Sequence, residues 1–399
     1  MLAFPSELQW IDSQYLIILE RIKRWVKINT YSKNFEGLNH FLHHFVSDFS
    51  SLDGITQLIA LPSQTVVGPK GHLFEEPLGQ AFSIRKRTQA SKQVLLAGHY
   101  DTVYTPTHHF QTLNDSQPDI WRGPGVADMK GGLAVLLTTL EAFERSPLAN
   151  QLGWEVLITP DEEIGSPGSG PLYEEAAQRH HYGLVFEPTL PSGAFVNERK
   201  GSISYTLIVK GRTAHVGRDF GKGRSAVFAL AHGIEQLNQL NAQDLTVNVT
   251  DLEGEGPLNI VPDLALCRVN FRSFSVERLL KTTEQLHQIA DQLMKQEGIH
   301  VEIIEQARRL PKNFASCQSI FHAYALCAEA LQIPFALEST GGVCDGNILA
   351  EAGLPTLDTA GVIGGALHTS NEYMITSSLI ERSKLATLFL LNLAAGEFS

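Results

Sequence analysis

The feature of this 399-residue sequence that most limits its possible folds is a set of short apolar segments, each followed by acidic or histidine residues. Residues 94–98, 155–159 and 183–186 have the length and apolar character of strands buried in a parallel sheet. The polar residues that come after them are His99 and Asp101, then Asp161, Glu162 and Glu163, and then Glu187. Because functional groups gather beyond the carboxyl ends of strands in open α/β sheets, the pattern predicts an α/β fold with a polar site at one sheet edge.

The middle of the sequence has a different pattern, which predicts a second structural unit. Its strands are expected at residues 203–209, 245–251, 264–272 and 300–305, and its helices at 224–240 and 275–296. This β-α-β-β-α-β order is that of a ferredoxin-like unit. We therefore expect a domain at residues 200–308, inserted between two parts of the α/β domain at residues 1–199 and 309–399. Another helix is expected at residues 10–28, where apolar residues recur at intervals of three and four.

The excess of acidic over basic residues argues against nucleic acid as a binding partner. Acidic residues number 43 and basic residues 31, and the net charge of −12 opposes the phosphate contacts on which nucleic-acid binding depends. We find no apolar run of about 18 residues that would predict a membrane span, and no signal-peptide pattern at the N-terminus. The four cysteines lack metal-site spacing. We therefore expect a cytoplasmic protein with reduced thiols that binds neither nucleic acid nor membranes.

Two segments offer candidate metal ligands. His99 lies two residues before Asp101, whose carboxylate could accept the second N–H of a metal-bound imidazole, although an incidental pair fits as well. Asp128 lies in the glycine-rich turn GPGVADMKGG, at the start of a helix expected at residues 131–145. The turn suits a carboxylate that bridges two metal ions, a phosphate-binding loop or a helix cap, and the acidic residue argues against phosphate.

Adjacent glutamates follow the second apolar segment, in TPDEEIGS. Neighbouring side chains do not easily point the same way, so one of Glu162 and Glu163 could bind metal while the other takes a proton from water. A solvated acidic turn is the alternative. Glu187 in VFEP and His368 in GGALHTSNEY complete the set of candidates. Two histidines and three carboxylates match a pair of divalent cations that share one bridging carboxylate.

Eight motifs run in one order over residues 94–373: GHYDTV, GPGVADMKGG, TPDEEIGS, FEPT, ERKG, GRTAHVG, NIVPD and STGGVCDGN…LHTSNEY. Together they resemble the co-catalytic zinc amidohydrolase and peptidase family, which includes glutamate carboxypeptidase, acetylornithine deacetylase, succinyl-diaminopimelate desuccinylase and aminoacylase. The glutamate-carboxypeptidase-like branch is the most similar. The resemblance implies a zinc-exopeptidase-like mixed sheet with helices on both faces, and an inserted ferredoxin-like α+β dimerisation domain.

The resemblance also implies a role for each candidate ligand. Asp128 would bridge two divalent metal ions in each chain, zinc in the first place, with cobalt or manganese as replacements. Glu163 and His368 would complete one metal site, and His99 and Glu187 would complete the other. A chain that carries all five ligands matches the active members of the family.

The catalytic roles are implied in the same way. Asp101 would orient His99, and Glu162 would act as the general base and then as the acid that protonates the leaving nitrogen. His215 in GRTAHVG would reach across a homodimer and stabilise the oxyanion in the partner subunit's site. The peptide bond between Asp128 and Met129 is expected to be cis.

The substrate contacts implied by the resemblance come from the later motifs. Asn259 and Arg272 would bind the substrate, and an arginine suits a terminal carboxylate. Gly341 and Gly342 would let the backbone approach the substrate closely, and Lys200 would be a further contact. The resemblance implies a di-zinc hydrolase that cleaves an amide or peptide bond of an N-acyl amino acid or small peptide. The alternatives are an N-carbamoyl amino acid amidohydrolase and a non-catalytic binding relative on the same scaffold.

Overall fold

The computed structural model describes residues 2 and 4–398. The helices are α1 Pro5–Ser13, α2 Tyr15–Val26, α3 Phe35–Asp48, α4 Gly132–Phe143, α5 Gly170–Ala177, α6 Val216–Asp219, α7 Ala226–Asn238, α8 Val276–Met294, α9 Phe314–Ala330, α10 Asp345–Glu351 and α11 Ser377–Ala394. The strands are β1 Ile55–Ala60, β2 Gln64–Val67, β3 Leu73–Glu76, β4 Gln80–Lys86, β5 Gln93–His99, β6 Asn114–Gln117, β7 Ile120–Arg122, β8 Gly153–Thr159, β9 Tyr182–Val185, β10 Phe195–Arg199, β11 Gly201–Lys210, β12 Thr246–Glu253, β13 Leu264–Ser273, β14 His300–Arg309, β15 Leu337–Thr340, β16 Thr356–Leu357, β17 Gly364–Gly365 and β18 Tyr373–Ile375.

A six-stranded sheet forms the centre of the protein, in the order β1-β4-β8-β5-β9-β16. The three apolar segments of the sequence analysis are β5, β8 and β9, and β5 runs parallel to both of the others, between them. β4 pairs antiparallel with β8 and with β1, so the sheet is mixed, as expected. The carboxyl ends of β8, β5 and β9 therefore meet at one edge of the sheet.

Both faces of this sheet are covered, and the residues of β5 show how. Val94 and Leu96 belong to the larger apolar core, to which α2, α3, α4, α9 and α11 contribute. Leu95 and Ala97 face the other way, into a core shared with α5 and α10. Because both faces are buried, the strand is apolar throughout instead of alternating. The expected α/β architecture, with helices on both faces of a mixed sheet, is confirmed.

The N-terminal region corrects the expectation of one helix at residues 10–28. It forms α1 and α2, which meet at Gln14. The hydroxyl of Ser13 donates to the carbonyl oxygen of Trp10 at 2.6 Å, and the N–H of Gln14 donates to that of Ile11 at 3.0 Å. Local hydrogen bonds of this kind compete with the helical pattern, so the helical assignment was right and its continuity was wrong.

A second sheet lies between Gly201 and Arg309. Its strands are antiparallel, in the order β12-β13-β11-β14, and α7 and α8 pack on one face over a core of their own. The backbone enters and leaves this unit at adjacent points. The N–H of Arg199 donates to the carbonyl of Lys312 at 3.0 Å, and the N–H of Lys312 donates to that of Arg199 at 3.2 Å. The observed β-α-β-β-α-β order is that of a ferredoxin-like unit.

The hairpin formed by β2 and β3 reaches the other face of this small sheet. Val67 of the hairpin packs with Ile208 of β11 and Leu266 of β13 in a small apolar cluster. Ile208 is 0% exposed, although α7 and α8 cover the opposite face. The small sheet is therefore attached to the N-terminal part of the chain as well as at the crossing of Arg199 and Lys312.

The cysteines agree with the sequence analysis. All four are free and buried, and they are Cys267, Cys317, Cys327 and Cys344. Burial raises the pKa of Cys267 and of Cys327 to about 12, so these thiols stay protonated at neutral pH. None of the helices described above has the length and apolar character needed to cross a membrane.

Candidate metal centre and active site

One edge of the main sheet collects the predicted ligands from five segments. His99 is the last residue of β5, Glu163 lies in the short turn after β8, and Glu187 lies just beyond β9. Asp128 comes from the turn before α4, and His368 comes from the loop after β17. The parallel arrangement of the central strands places their ends together, which is what the sequence pattern predicts.

Asp128 lies at the centre of this group. The Nε2 atom of His99 is 3.0 Å from Asp128 Oδ1 and 3.6 Å from Glu187 Oε1. The Nε2 atom of His368 is 3.2 Å from Asp128 Oδ2 and 3.1 Å from Glu163 Oε2. The donors therefore form two sets, His99 with Glu187 and His368 with Glu163, around the two oxygens of one shared carboxylate.

The electrostatics of the cluster favour bound cations. Burial and the neighbouring charge of Asp128 raise the pKa of Glu163 to about 8, and the same causes raise the pKa of Glu187. Imidazole nitrogens and carboxylate oxygens are ligands that zinc, cobalt and manganese accept. One donor atom from each of His99, Asp128 and Glu163 lies within 4.8 Å of the others. The residues present therefore fit divalent metal ions.

Asp101 connects the two sides of the centre. Its Oδ1 atom lies 3.3 Å from His99 Nδ1, and its main-chain oxygen lies 3.1 Å from the same nitrogen. Its carboxylate also accepts the N–H of Glu162 at 3.2 Å, the N–H of Glu163 at 3.1 Å and the hydroxyl of Ser32 at 2.7 Å. An acceptor on the second imidazole nitrogen orients a histidine ligand. Asp101 is therefore placed to fix the His99 ring and the acidic turn together.

The sequence analysis missed Glu372, which holds the backbone of the turn that carries Asp128. The Glu372 carboxylate is 1% exposed and accepts the N–H groups of Gly125, Ala127 and Asp128 at 3.1, 2.9 and 3.1 Å. It also accepts the hydroxyl of Tyr104 at 2.7 Å. The only signal in the sequence is its position in LHTSNEY, four residues after the last candidate ligand.

The turn itself agrees with the expectation from the resemblance. The peptide bond between Asp128 and Met129 is cis. All residues of the turn are buried, and the sulfur of Met129 accepts the N–H of His99 at 3.2 Å. The turn and the end of β5 are therefore in direct contact beneath the ligand cluster.

Glu162 lies beside the cluster, in a cavity of about 290 Å³ that is also lined by Asp128, Glu187 and His368. Its Oε1 atom is 2.8 Å from the Nη1 atom of Arg309. Burial raises the pKa of Glu162, and the positive charge of Arg309 opposes that shift. Apolar side chains form much of the remaining wall, and they are Pro188, Leu190, Pro191, Val196, Val343 and Leu367.

One predicted substrate contact lines this cavity, and two others lie next to it. Gly342 is one of its lining residues. The carbonyl oxygen of the preceding residue, Gly341, accepts a hydrogen bond from Arg272 Nη1 at 3.0 Å. Since Arg272 belongs to β13 of the small sheet, this contact connects that sheet to the rim of the cavity.

Two of the other predicted contacts lie away from this cavity, and the third, Lys200, lies beside one of its lining residues. His215 and Asn259 are exposed on the small sheet's side of the protein, and neither lines the cavity that contains Glu162. The N–H of Lys200 donates to the carbonyl of Thr340 at 3.1 Å, and its ammonium group lies 5.7 Å from the ring centre of Phe274. Within a single chain, the described geometry therefore leaves His215 and Asn259 away from the cavity and places Lys200 beside Thr340, one of its lining residues.

Comparison with known families decides the classification. The sequence profile of the peptidase family M20/M25/M40 matches residues 95–392, which is the greater part of the chain. The protein belongs to this family. It is therefore a metal-dependent hydrolase. The resemblance inferred from the motifs is confirmed.

Individual M20 relatives are similar over most of their length. The chain is 27% identical to carboxypeptidase G2 of Pseudomonas sp. (strain RS-16) over 314 residues, covering 77% of this chain and 76% of that protein. It is 27% identical to succinyl-diaminopimelate desuccinylase of Azoarcus sp. (strain BH72) over 356 residues, covering 83% and 90%. The structure of an M20 family metallo-carboxypeptidase from Sulfolobus solfataricus superposes with a TM-score of 0.74 at 17% identity, covering 95% and 99%. This last similarity shows the shared fold.

Proposed function

We propose that this M20 enzyme is a di-zinc metallohydrolase that cleaves an amide or peptide bond of an N-acyl amino acid or a small peptide. The observation that carries the proposal is the position of Asp128, which has one histidine–glutamate pair at each carboxylate oxygen. One ion would be held by His99, Glu187 and Asp128, and the other by His368, Glu163 and Asp128. The names of the relatives, a carboxypeptidase and a desuccinylase, support both classes of substrate.

The mechanism follows from the residues around this centre. When bound, the two cations supply Lewis acidity and a water molecule that loses its proton near neutral pH. Glu162 accepts that proton at its carboxylate and later donates it to the leaving nitrogen when the amide bond breaks. Asp101 keeps the His99 ring oriented and the backbone of Glu162 in place. The apolar walls of the cavity limit the access of further water to the reacting groups.

The substrate contacts belong to the proposal as well. Arg272 would bind a carboxylate of the substrate, because its guanidinium group presents paired donors that match a carboxylate. Asn259 would contribute a polar contact. Gly341 and Gly342 would leave room for the substrate next to the backbone of the cavity rim.

We also propose that the enzyme is a homodimer, joined through the domain at residues 200–308. Large apolar side chains are exposed around one groove of this domain, and they are Val216, Phe220, Phe228, Leu258 and Ile260. An exposed apolar patch of this kind is typical of a protein interface. His215 directly precedes this patch and is outside the cavity of its own chain, which supports a role in the partner subunit's site.

Two measurements test the proposed function together. Elemental mass spectrometry on protein reloaded with zinc should find two metal ions per chain. A panel of folylglutamate, N-acetyl amino acids, dipeptides and N-carbamoyl amino acids should show cleavage of at least one amide or peptide substrate. Cleavage of the carbamoyl compounds alone would favour an N-carbamoyl amidohydrolase. Fewer than two ions and no hydrolysis would favour a non-catalytic relative. A cytoplasmic location stays a prediction.

A further inference from the structure

The proposed general base has an unusual partner. Arg309, the last residue of β14, binds Glu162 twice: Nη1 is 2.8 Å from the side-chain Oε1, and Nη2 is 3.3 Å from the main-chain oxygen. The two side chains are 6% and 9% exposed, so water screens the pair only weakly. A guanidinium group fixes the direction of a bound carboxylate through its planar set of donors. The orientation of Glu162 therefore depends on where Arg309 is held.

Arg309 is in turn held by two other segments. Its Nη2 atom donates to the hydroxyl of Ser166 at 2.6 Å and to Asp345 Oδ1 at 2.9 Å. Ser166 lies in the loop after β8, and Asp345 is the first residue of α10. The hydroxyl of Ser166 also donates to Asp345. With partners on two sides, the guanidinium group has one preferred orientation, which it imposes on the Glu162 carboxylate.

We propose that Arg309 is a positioning residue for the hydrolytic reaction. By binding Oε1, it fixes the orientation of the Glu162 carboxylate at the cavity, where the attacking water would lose its proton. The inference rests on the proposed role of Glu162 as general base. A displacement of about 1 Å in a reacting group can lower the rate by about 100-fold, so loss of this contact has a measurable cost.

A purely structural role is the alternative, because breaking a buried ion pair destabilises a protein by leaving one charge unpaired. The two roles differ in how they depend on Glu162. A positioning residue has nothing left to position once the base is removed. A structural residue affects the enzyme whether or not the base is present. A double-mutant cycle with Glu162 therefore separates them.

The experiment compares the steady-state kinetics of Arg309→Met, Glu162→Gln and the double variant on one amide substrate from the panel. Arg309→Met should lower kcat by about 100-fold with little change in KM, and should retain both metal ions. When Glu162→Gln is already present, adding Arg309→Met should not lower kcat further. Arg308→Met is the matched control, because Arg308 is the neighbouring arginine, half-exposed and paired with Glu305. It should behave like the unmodified enzyme.

The inference would be overturned if Arg309→Met lowered kcat by the same factor with Glu162 present and with Glu162→Gln. It would also be overturned if Arg309→Met left kcat unchanged. If Arg309→Met does not unfold cooperatively or loses metal, Arg309→Gln takes its place, because glutamine leaves a polar side chain in the buried site beside Ser166 and Asp345. Its kcat should fall in the unmodified background and stay level in the Glu162→Gln background. Full activity of Glu162→Gln itself would reject the proposed base as well as this inference, whereas additive losses would reject the inference alone.

Discussion

Asp128 and Asp101 each contact neighbours with both carboxylate oxygens. Two side chains are therefore enough to connect the residues of the centre. Asp128 faces His99 with one oxygen and His368 with the other. Asp101 contacts the far side of His99 with Oδ1 and accepts the N–H of Glu163 with Oδ2. Because each of these carboxylates serves two neighbours, loss of either one would disturb both sides of the centre.

Glu162→Gln tests the base assignment at this scale. Glutamine has nearly the same shape but cannot accept the proton from water, so turnover should fall by about 10²- to 10⁴-fold. Metal content, measured by elemental mass spectrometry, should stay unchanged because Glu162 is not one of the proposed ligands. Glu174→Gln, at an exposed position of α5, is the control. Normal turnover in Glu162→Gln would mean that another group takes the proton.

Lys130 predicts a dependence of stability on pH. Its side chain is 1% exposed and donates to the carbonyl of Ile28 at 2.9 Å, and burial lowers its pKa from 10.5 to about 7. Between these values the unfolded chain holds a proton that the folded protein has released. The free energy of unfolding therefore rises with pH above about 7, with a contribution of up to about 1.4 kcal/mol per pH unit.

The variant Lys130→Met should remove this contribution. Urea unfolding at pH 7 and pH 9, at the same metal loading, should show a smaller rise for Lys130→Met than for the unmodified protein. Lys27→Met changes an exposed lysine and should leave the rise unchanged. Parallel curves for the unmodified protein and Lys130→Met would show that Lys130 keeps its proton in the folded state.

The predictable site residues are those that follow a strand or lie in a glycine-rich turn. His99, Glu163 and Glu187 belong to this group, and their position after apolar segments is visible in the sequence. Arg309 and Glu372 carry no such local signal. Arg309 binds Glu162 across 147 positions, and Glu372 binds the N–H of Asp128 across 244 positions. Contacts at such separations arise only when the complete chain has folded.

At the scale of elements, the turn before α4 depends on an acceptor from the C-terminal part of the chain. The carboxylate of Glu372 accepts hydrogen bonds from three N–H groups of that turn, those of Gly125, Ala127 and Asp128. Glu372→Ala leaves these donors unpaired and should weaken metal binding by about 10- to 100-fold. Titration against a competing chelator measures this change. Glu329→Ala, at an exposed position of α9, should bind metal normally. Unaltered affinity in Glu372→Ala would mean that the turn keeps its shape without this carboxylate.

The elements themselves were predictable where burial is complete. β5, β8 and β9 have burial on both faces, and each appears in the sequence as an apolar run. β1 lies at the edge of the same sheet and is exposed at most positions, so it has no such run. The division between α1 and α2 depends on hydrogen bonds of Ser13 and Gln14, which periodicity does not show. Within the main sheet, burial on both faces is therefore what makes a strand recognisable as an apolar run in the sequence.

At the scale of the whole molecule, the proposed dimer can be tested with a charge in the apolar patch. Phe228 is 73% exposed in the single chain. Phe228→Asp should shift sedimentation from dimer to monomer, because an unpaired charge is costly to bury at an interface. Leu16→Asp is the matched control, since Leu16 on α2 is 72% exposed. A Phe228→Asp dimer as stable as that of the unmodified protein would place the interface elsewhere.

The proposed role of His215 in the partner subunit's active site can be tested by mutation. If it stabilises the oxyanion in the partner subunit's site, His215→Ala should lower kcat by about 10²- to 10³-fold. Metal content and the dimer should both be retained, as measured by elemental mass spectrometry and sedimentation. His287→Ala, at an exposed position of α8, is the control. Full activity of the dimeric His215→Ala variant would exclude this role.

The β2–β3 hairpin restrains the position of the small sheet relative to the main sheet, because it packs against the small sheet. If the strands at Arg199 and Lys312 were the only connection, the small sheet could rotate relative to the main sheet. With the hairpin in place, any opening that lifts Val67 from the small sheet exposes Ile208 and Leu266. Each such side chain costs about 1.5–3 kcal/mol to expose. The angle between the two sheets therefore depends in part on this hairpin, together with the crossing of Arg199 and Lys312 and the contact of Arg272 with Gly341.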